Sequence, residues 1–326
     1  MLNVFFKENL KLKIDSINDL SRCITLSSLL ELSGWPKPGN VHRTRDLENT
    51  RFEHFLAGIA AIQPSFYSLC KRTHDKLNKS NQDYSFIKLG SFFIEAAKGM
   101  MNSQRGGNVL LGHILILAPL ASAAAICLKL KIRDFKDFSF MIKKIINDST
   151  VEDTIGLYEA IRACSPGGLG KVKNYDINNN KSIRNIKKDG INLKRIFDLS
   201  KDRDSISLEY STGYNIILNE GLPFYLHKFD ETRDVNISTV ETYLKILADH
   251  PDTLIIRKLG NDAALEVSRE ALKILKKGGI STKEGYKLAL ELDNHLQTFE
   301  GKKNPGTTAD LLAGIIFCAL ILGLIF

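Results

Sequence analysis

The sequence lacks every short motif that would assign a chemistry by itself. It has no Cys-x-x-Cys pair, no His-Glu-x-x-His, no Gly-x-Ser-x-Gly and no Gly-x-Gly-x-x-Gly, and no glycine-rich loop ends in Gly-Lys-Ser/Thr. These absences exclude a zinc framework, a zincin, an α/β-hydrolase elbow and the named dinucleotide and P-loop sites. The five cysteines (Cys23, Cys70, Cys127, Cys164, Cys318) are odd in number and scattered. That fits a reducing, cytoplasmic setting rather than a disulfide scaffold. The seven histidines are dispersed too, so a His-based metal site is not expected. No small-residue cleavage site follows a long apolar core near the N-terminus, which argues against a signal peptide. Strand signals are sparse. Residues 3–14 alternate weakly and residues 252–257 are a short β-branched run, and neither recurs at the rhythm an α/β fold needs.

What is present is helical periodicity and positive charge. Lys and Arg number 45 against 37 Asp and Glu, a net charge of +8 over 326 residues. A basic balance suits anionic small molecules, nucleic acid or acidic lipid. The basic residues are dispersed without aromatic interleaving, so nucleic acid is not the expected partner. Apolar residues recur at helical spacing over 16–33, 51–61, 84–102, 108–130, 150–163, 204–219, 238–248, 262–277, 281–298 and 307–326. Pro64 reads as a kink or boundary, and Gly221-Leu222-Pro223 as a stop. Thr150 with Asp153, Ser281 with Glu284, and Thr307 with Asp310 have capping-box spacing. The expected fold is all-α, a large multi-helix bundle of about ten helices forming a single domain over 1–326, with 171–203 a surface excursion. Two segments, 108–130 and 311–326, are apolar all round, as buried central helices are. A membrane association is not expected, although a tail anchor at 311–326 is the alternative.

Chemistry-bearing residues gather in the connections. "GWPKPGNVHRTRD" (34–46) is either a linker or a loop that points amides at an anion. "SQRGGNVLLGH" (103–113) and "AIRACSPGGLGKVKNYD" (160–176) place glycines and cations beside helix ends, where phosphate binds well, but each also reads as a plain turn. Cys164 reads as a small buried residue rather than a nucleophile. "DLSKDRDSISLEY" (198–210) is dense in acids that could hold Mg²⁺ or simply complement a helix dipole. Asp310 falls where an acid would cap its own helix.

In order, "KPGNVH", "NVLLG" with "LAPLA", "AIRACSPGGLG", "DRDSISLEYSTGYNI" followed by "GLP", "DTLIIRKLG" and "NPGTTADL" resemble the triphosphoribosyl-dephospho-CoA synthase family, most closely its archaeal branch. The resemblance runs from about residue 30 to the end. It implies an all-helical enzyme that displaces adenine from ATP and joins the triphosphoribosyl group to 3′-dephospho-CoA. The product is the prosthetic-group precursor of citrate lyase and malonate decarboxylase carrier proteins. ATP is then a substrate and Mg²⁺ the expected cation. The partners are nucleotide and CoA-like small molecules. Breaking the bond to adenine builds positive charge on the ribose, which carboxylates stabilise. Asp46, Asp204 and Asp310 are the carboxylate candidates, with Asp46 and Asp204 also as metal ligands. Lys37, Gly39 and Asn40 are candidates for phosphate or ribose contact. Arg162, Gly167, Gly168, Arg203 and Arg257 are further anion-binding candidates. Where bacterial members carry Asn-Thr-His-Lys-Gly, this chain reads Asn108-Val109-Leu110-Leu111-Gly112. Only Asn108 and Gly112 carry over, which puts the acceptor in question and leaves a non-catalytic nucleotide-binding protein as the alternative.

Overall fold

The computed structural model describes residues 10–78, 83–167, 170 and 172–326. Among them the chain forms fifteen α-helices and no strand beyond three isolated bridges. In order these are α1 (Ile17–Ser33), α2 (Phe52–Lys76), α3 (Leu89–Ser103), α4 (Leu111–Leu130), α5 (Phe135–Asn147), α6 (Val151–Cys164), α7 (Lys181–Asp189) and α8 (Leu193–Asp198). There follow α9 (Ser205–Thr212), α10 (Leu222–Thr232), α11 (Val235–Asp249), α12 (Thr253–Leu259), α13 (Asn261–Lys276), α14 (Lys283–Gln297) and α15 (Gly306–Ile321). The fold is all-α, as the periodicity predicts.

The two apolar helices are its axis. In α4, 16 of 20 residues are buried, and in α15, 14 of 16. They pack on each other, and α1, α2 and α5 pack around α4 while α1, α10 and α11 pack around α15. Such helices need no amphipathic stripe, because protein surrounds them on every side. By length and composition α4 could cross a membrane, but 89% of its apolar window is buried within this chain.

Three local expectations are corrected by tertiary packing. Pro64 does not end its helix: α2 runs through it to Lys76. Pro119 likewise sits inside α4. A proline leaves the carbonyl four residues back without its helical donor. Here that carbonyl, Leu115, accepts from the Tyr210 hydroxyl at 2.7 Å, and the next, Ile116, accepts from Tyr214 at 2.9 Å. The residues 252–257 read as a strand form α12, capped by Asp252, whose carboxylate accepts from the Leu254 and Ile255 amides. Finally, Gly221-Leu222-Pro223 does not stop a helix. The break comes earlier, at Gly213 and Tyr214, both in the left-handed region, and a π-turn over Ile216–Gly221 then leads into α10.

That π-turn rests on a buried carboxylate. Glu209 has no exposed surface and accepts from the amides of Ile216 and Ile217, each at 2.9 Å. Burial pushes its carboxyl up to about 8, against the pull of the two amide donors. Above the ordinary carboxylate range the unfolded chain has lost this proton while the folded chain keeps it. Stability therefore falls as pH rises towards about 8 and levels beyond it. Glu209→Gln is expected to flatten that slope in chemical denaturation measured across the same window, although it gives up one acceptor. An unchanged slope would mean that the carboxyl is ionised throughout.

Candidate active site

The 34–46 loop is fixed from within. The Lys37 ammonium is fully buried and forms an ion pair with the Glu31 carboxylate on α1, while donating to the Glu31 carbonyl at 2.7 Å. Gly39 lies at φ 78°, and a side chain there would stand 2.8 Å from Leu296 Cδ1. Its amide donates to Asp293 Oδ1 at 3.0 Å, and Asp293 Oδ2 meets His42 Nε2 at 3.2 Å. Burial works to raise the Asp293 carboxyl, but His42 and the Gly39 amide hold it below its ordinary value. Asn40 donates to Asn304 Oδ1 at 2.9 Å, joining this loop to the start of α15.

Beneath the loop lies a cavity of about 830 Å³. Three helix N-termini open onto it, those of α4, α9 and α15, represented in its lining by Asn108 and Leu111, Asp204 and Ser207, and Gly306 and Thr307. Each contributes the positive end of a helix dipole, so their convergence favours negative charge. Asn108 accepts the Leu111 amide at 3.1 Å and starts α4. Asp204 caps α9, with Oδ2 accepting from the Ser207 amide and hydroxyl and Oδ1 pairing with Arg257 at 2.7 Å.

Asp310 does not cap α15. The helix begins at Gly306, so Asp310 lies past its first turn. The capping acceptor comes through space from Asp252, whose Oδ2 takes the Thr308 amide at 2.7 Å and the Thr308 hydroxyl at 2.8 Å. Asp310 is thereby released to line the cavity. Its carboxylate lies 3.8 Å from His113 Nε2, and His113 reaches Glu31 Oε2 at 3.4 Å. Burial, then the neighbouring carboxylates Glu31, Asp252 and Asp204, hold the Asp310 carboxyl well above the usual carboxylate range. Gly112 makes room for it: a Cβ there would fall 1.9 Å from Asp310 Oδ2. Gly112→Ala is therefore expected to displace Asp310 and remove most turnover while far-UV circular dichroism stays unchanged. Full activity in that variant would show that the carboxylate is not needed in this position.

The structure brings Asn40, Asn108, Gly167, Arg203, Asp204, Arg257 and Asp310 to one cavity. It does not bring Lys37 or Gly39 to the lining: Lys37 is committed to Glu31 on α1 and the Gly39 amide to Asp293 on α14. Asp46 is exposed and not in the lining, although Leu47 to Thr50 after it are; its carboxylate accepts the Phe52 amide at 2.8 Å at the start of α2. Arg162 donates to the carbonyls of Ile177 and Asn179 and tethers that segment. Gly168 lies outside the described residues. Cys164 is buried and its thiol is pushed up to about 11, as a packing residue rather than a nucleophile. Among the described residues no three His, Cys, Asp or Glu side chains cluster as a metal cage.

Sequence reading missed Glu31, His113, Asp252, Asp293 and Asn304. For Glu31 a signal existed: it follows Leu20, Ile24, Ser27 and Ser28 at helical spacing, so an acid sits on the inner face of α1. The others act across long sequence separations that no local pattern records.

An all-helical scaffold with three helix N-termini, Asp204 and Asp310 at one large cavity is of a kind suited to a polyanionic substrate. The chain matches the ATP:dephospho-CoA triphosphoribosyl transferase (CitG) family over residues 17–324 and belongs to that family. It is also similar to a crystal structure from Archaeoglobus fulgidus assigned as a triphosphoribosyl-dephospho-CoA synthase. The identity is 26% and the TM-score 0.60, covering 82% of this chain and 99% of that one. The protein is a transferase of this family, and ATP is a substrate of the family reaction.

Proposed function

We infer that the cavity is where this chain carries out its family's reaction, transferring the triphosphoribosyl group of ATP to the ribose hydroxyl of 3′-dephospho-CoA with release of adenine. The observation that supports this most is the pair of unlike carboxylates at converging helix N-termini. Asp204 is held by Arg257 and Ser207, an arrangement suited to a fixed negative charge. As the bond from C1′ to adenine breaks, its electrons leave with the base, and Asp204 offsets the positive charge left on the ribose. Among the described residues no donor hydrogen-bonds to Asp310, and its carboxyl is raised, so it is the group suited to take the proton of the attacking hydroxyl. The new bond joins that oxygen to C1′.

Mg²⁺ fits as a substrate-borne cation, since it takes one or two carboxylates plus phosphates rather than a protein cage. Asp204 would hold it, and it would supply charge neutralisation to the triphosphate. Asp46, which accepts the Phe52 amide and is not in the lining, is not assigned this role. The five buried free cysteines suit a reducing, cytoplasmic setting.

Incubation with ATP, Mg²⁺ and 3′-dephospho-CoA, with adenine followed by chromatography, tests the reading. Adenine release that requires the acceptor supports it. ATP binding without adenine release across a panel of CoA-like acceptors would instead favour a non-catalytic nucleotide-binding protein, the reading that Val109, Leu110 and Leu111 motivate. The pH profile gives a second check. If Asp310 accepts the proton, kcat/KM rises with pH along a limb well above the ordinary carboxylate range, because Asp310 must first ionise. A limb near pH 4 would sink that assignment.

A further inference from the structure

Among the described residues, three cations other than histidine line the cavity: Arg203, Arg257 and Lys258. They are not equivalent. Arg257 is committed to Asp204. Lys258, the next residue, forms no ion pair among the described residues, and its ammonium donates only to the Gly301 carbonyl at 3.0 Å. An ammonium has three donors, so two remain. The contrast with the neighbouring lysines is sharp. Lys37 is consumed by Glu31, and Lys303 pairs with Glu266 at 2.8 Å. Among the described residues, Lys258 is the lysine of the lining, and no carboxylate pairs with it. Arg203, on the approach to α9, is also exposed and without an ion-pair partner among the described residues. The two free cations thus share the lining with the Asp204–Arg257 pair.

Gly301 lies at φ 74° in the connection between α14 and α15, the connection that also supplies Asn304 to the cavity. Lys258 is therefore held by the segment that sets the entry to α15 and Asp310. Meanwhile the α4 side of the cavity is apolar at Val109 and Leu111, and among the described residues it supplies His113 but no lysine or arginine.

We propose that Lys258 is the residue that receives the terminal phosphates of the nucleotide donor, with Arg203 as the second arm of the clamp. The proposal rests on the reaction inferred above for the placement of the ribose at Asp204 and Asp310. The chain of phosphates leaves the ribose at C5′, and its most highly charged end needs cations that are both free and open to solvent. Lys258 and Arg203 are both exposed, whereas Arg257 is half-buried and already neutralised. Lys258 is a binding and positioning residue in this scheme: it makes no bond to the reacting carbon.

The test compares equilibrium binding of ATP, AMP and adenosine to the full-length protein and to Lys258→Met and Lys258→Arg, with thermal melts as a folding control. The expected result is a loss of roughly 10- to 100-fold in ATP affinity for Lys258→Met, little change for AMP and none for adenosine, with Lys258→Arg retaining most of the ATP affinity. In turnover the same variant raises KM for ATP and leaves that for the acceptor alone. Unchanged ATP affinity overturns the proposal. Equal losses for ATP and AMP overturn it as well, since they place the lysine at the first phosphate. The two readings fail separately. A wild-type protein that shows the Lys258-dependent preference for ATP yet releases no adenine sinks the reaction and leaves the triphosphate site standing.

Discussion

Asp310→Asn is expected to lower adenine release by about 10²- to 10⁴-fold, the range for loss of a general acid or base. The same change should raise the melting temperature of the ligand-free protein. Both outcomes follow from one placement. Asp310 sits among Glu31, Asp252 and Asp204, and burial with those like charges lifts its carboxyl far from the usual value. A neutral amide of the same shape removes that penalty but cannot take a proton. A residue that served only the fold would lose stability on substitution and lose activity in proportion. Loss of activity with gain of stability is therefore the diagnostic pair, read from adenine release and a thermal melt of one sample. If the variant melts lower and keeps turnover, Asp310 is structural and the site has been placed on the wrong carboxylate.

Lys37→Met is expected to destabilise the protein by about 3–5 kcal/mol, the range for removing one partner of a buried ion pair. The Lys37 ammonium has no exposed surface and the Glu31 carboxylate almost none. Burial works to raise the Glu31 carboxyl, and Lys37 followed by His113 outweighs it and holds the group below its ordinary value. Taking away the ammonium leaves the carboxylate in a low-dielectric interior with His113 alone at 3.4 Å. The double variant Lys37→Met/Glu31→Gln should regain most of the loss, because the unpaired charge is gone. Urea unfolding of the two single variants and the double variant closes the cycle. Additive effects would mean that the pair is not coupled. The damage should also reach the site, since Glu31 and His113 border Asp310.

The "GWPKPGNVHRTRD" stretch shows where reading the sequence succeeds and where it stops. Its residue types announced an ordered loop beside the site, and Asn40 does line the cavity. They could not announce that Lys37 would turn inwards to Glu31, or that the Gly39 amide would be taken by Asp293, 254 positions away. Asp46 reads the same as Asp204 in one dimension. In three, Asp46 caps α2 in solvent while Asp204 caps α9 at the cavity and pairs with Arg257.

Composition and periodicity determined the class of this protein. Sparse strand signals and repeated 3.6-residue spacing allow only a helical core, and two segments apolar on every side must be its axis, because only protein can cover them. The ordered series of turns likewise determined the family. Tertiary structure decided the division of labour among like residues. Asp252 takes over the capping of α15 and frees Asp310, Gly112 leaves the space it needs, and Tyr210 supplies the donor that Pro119 cannot. Each is a contact between residues distant in sequence, fixed by how helices pack. No local propensity carries that information: a carboxylate's role depends on which donors and charges the fold places within a few ångströms of it.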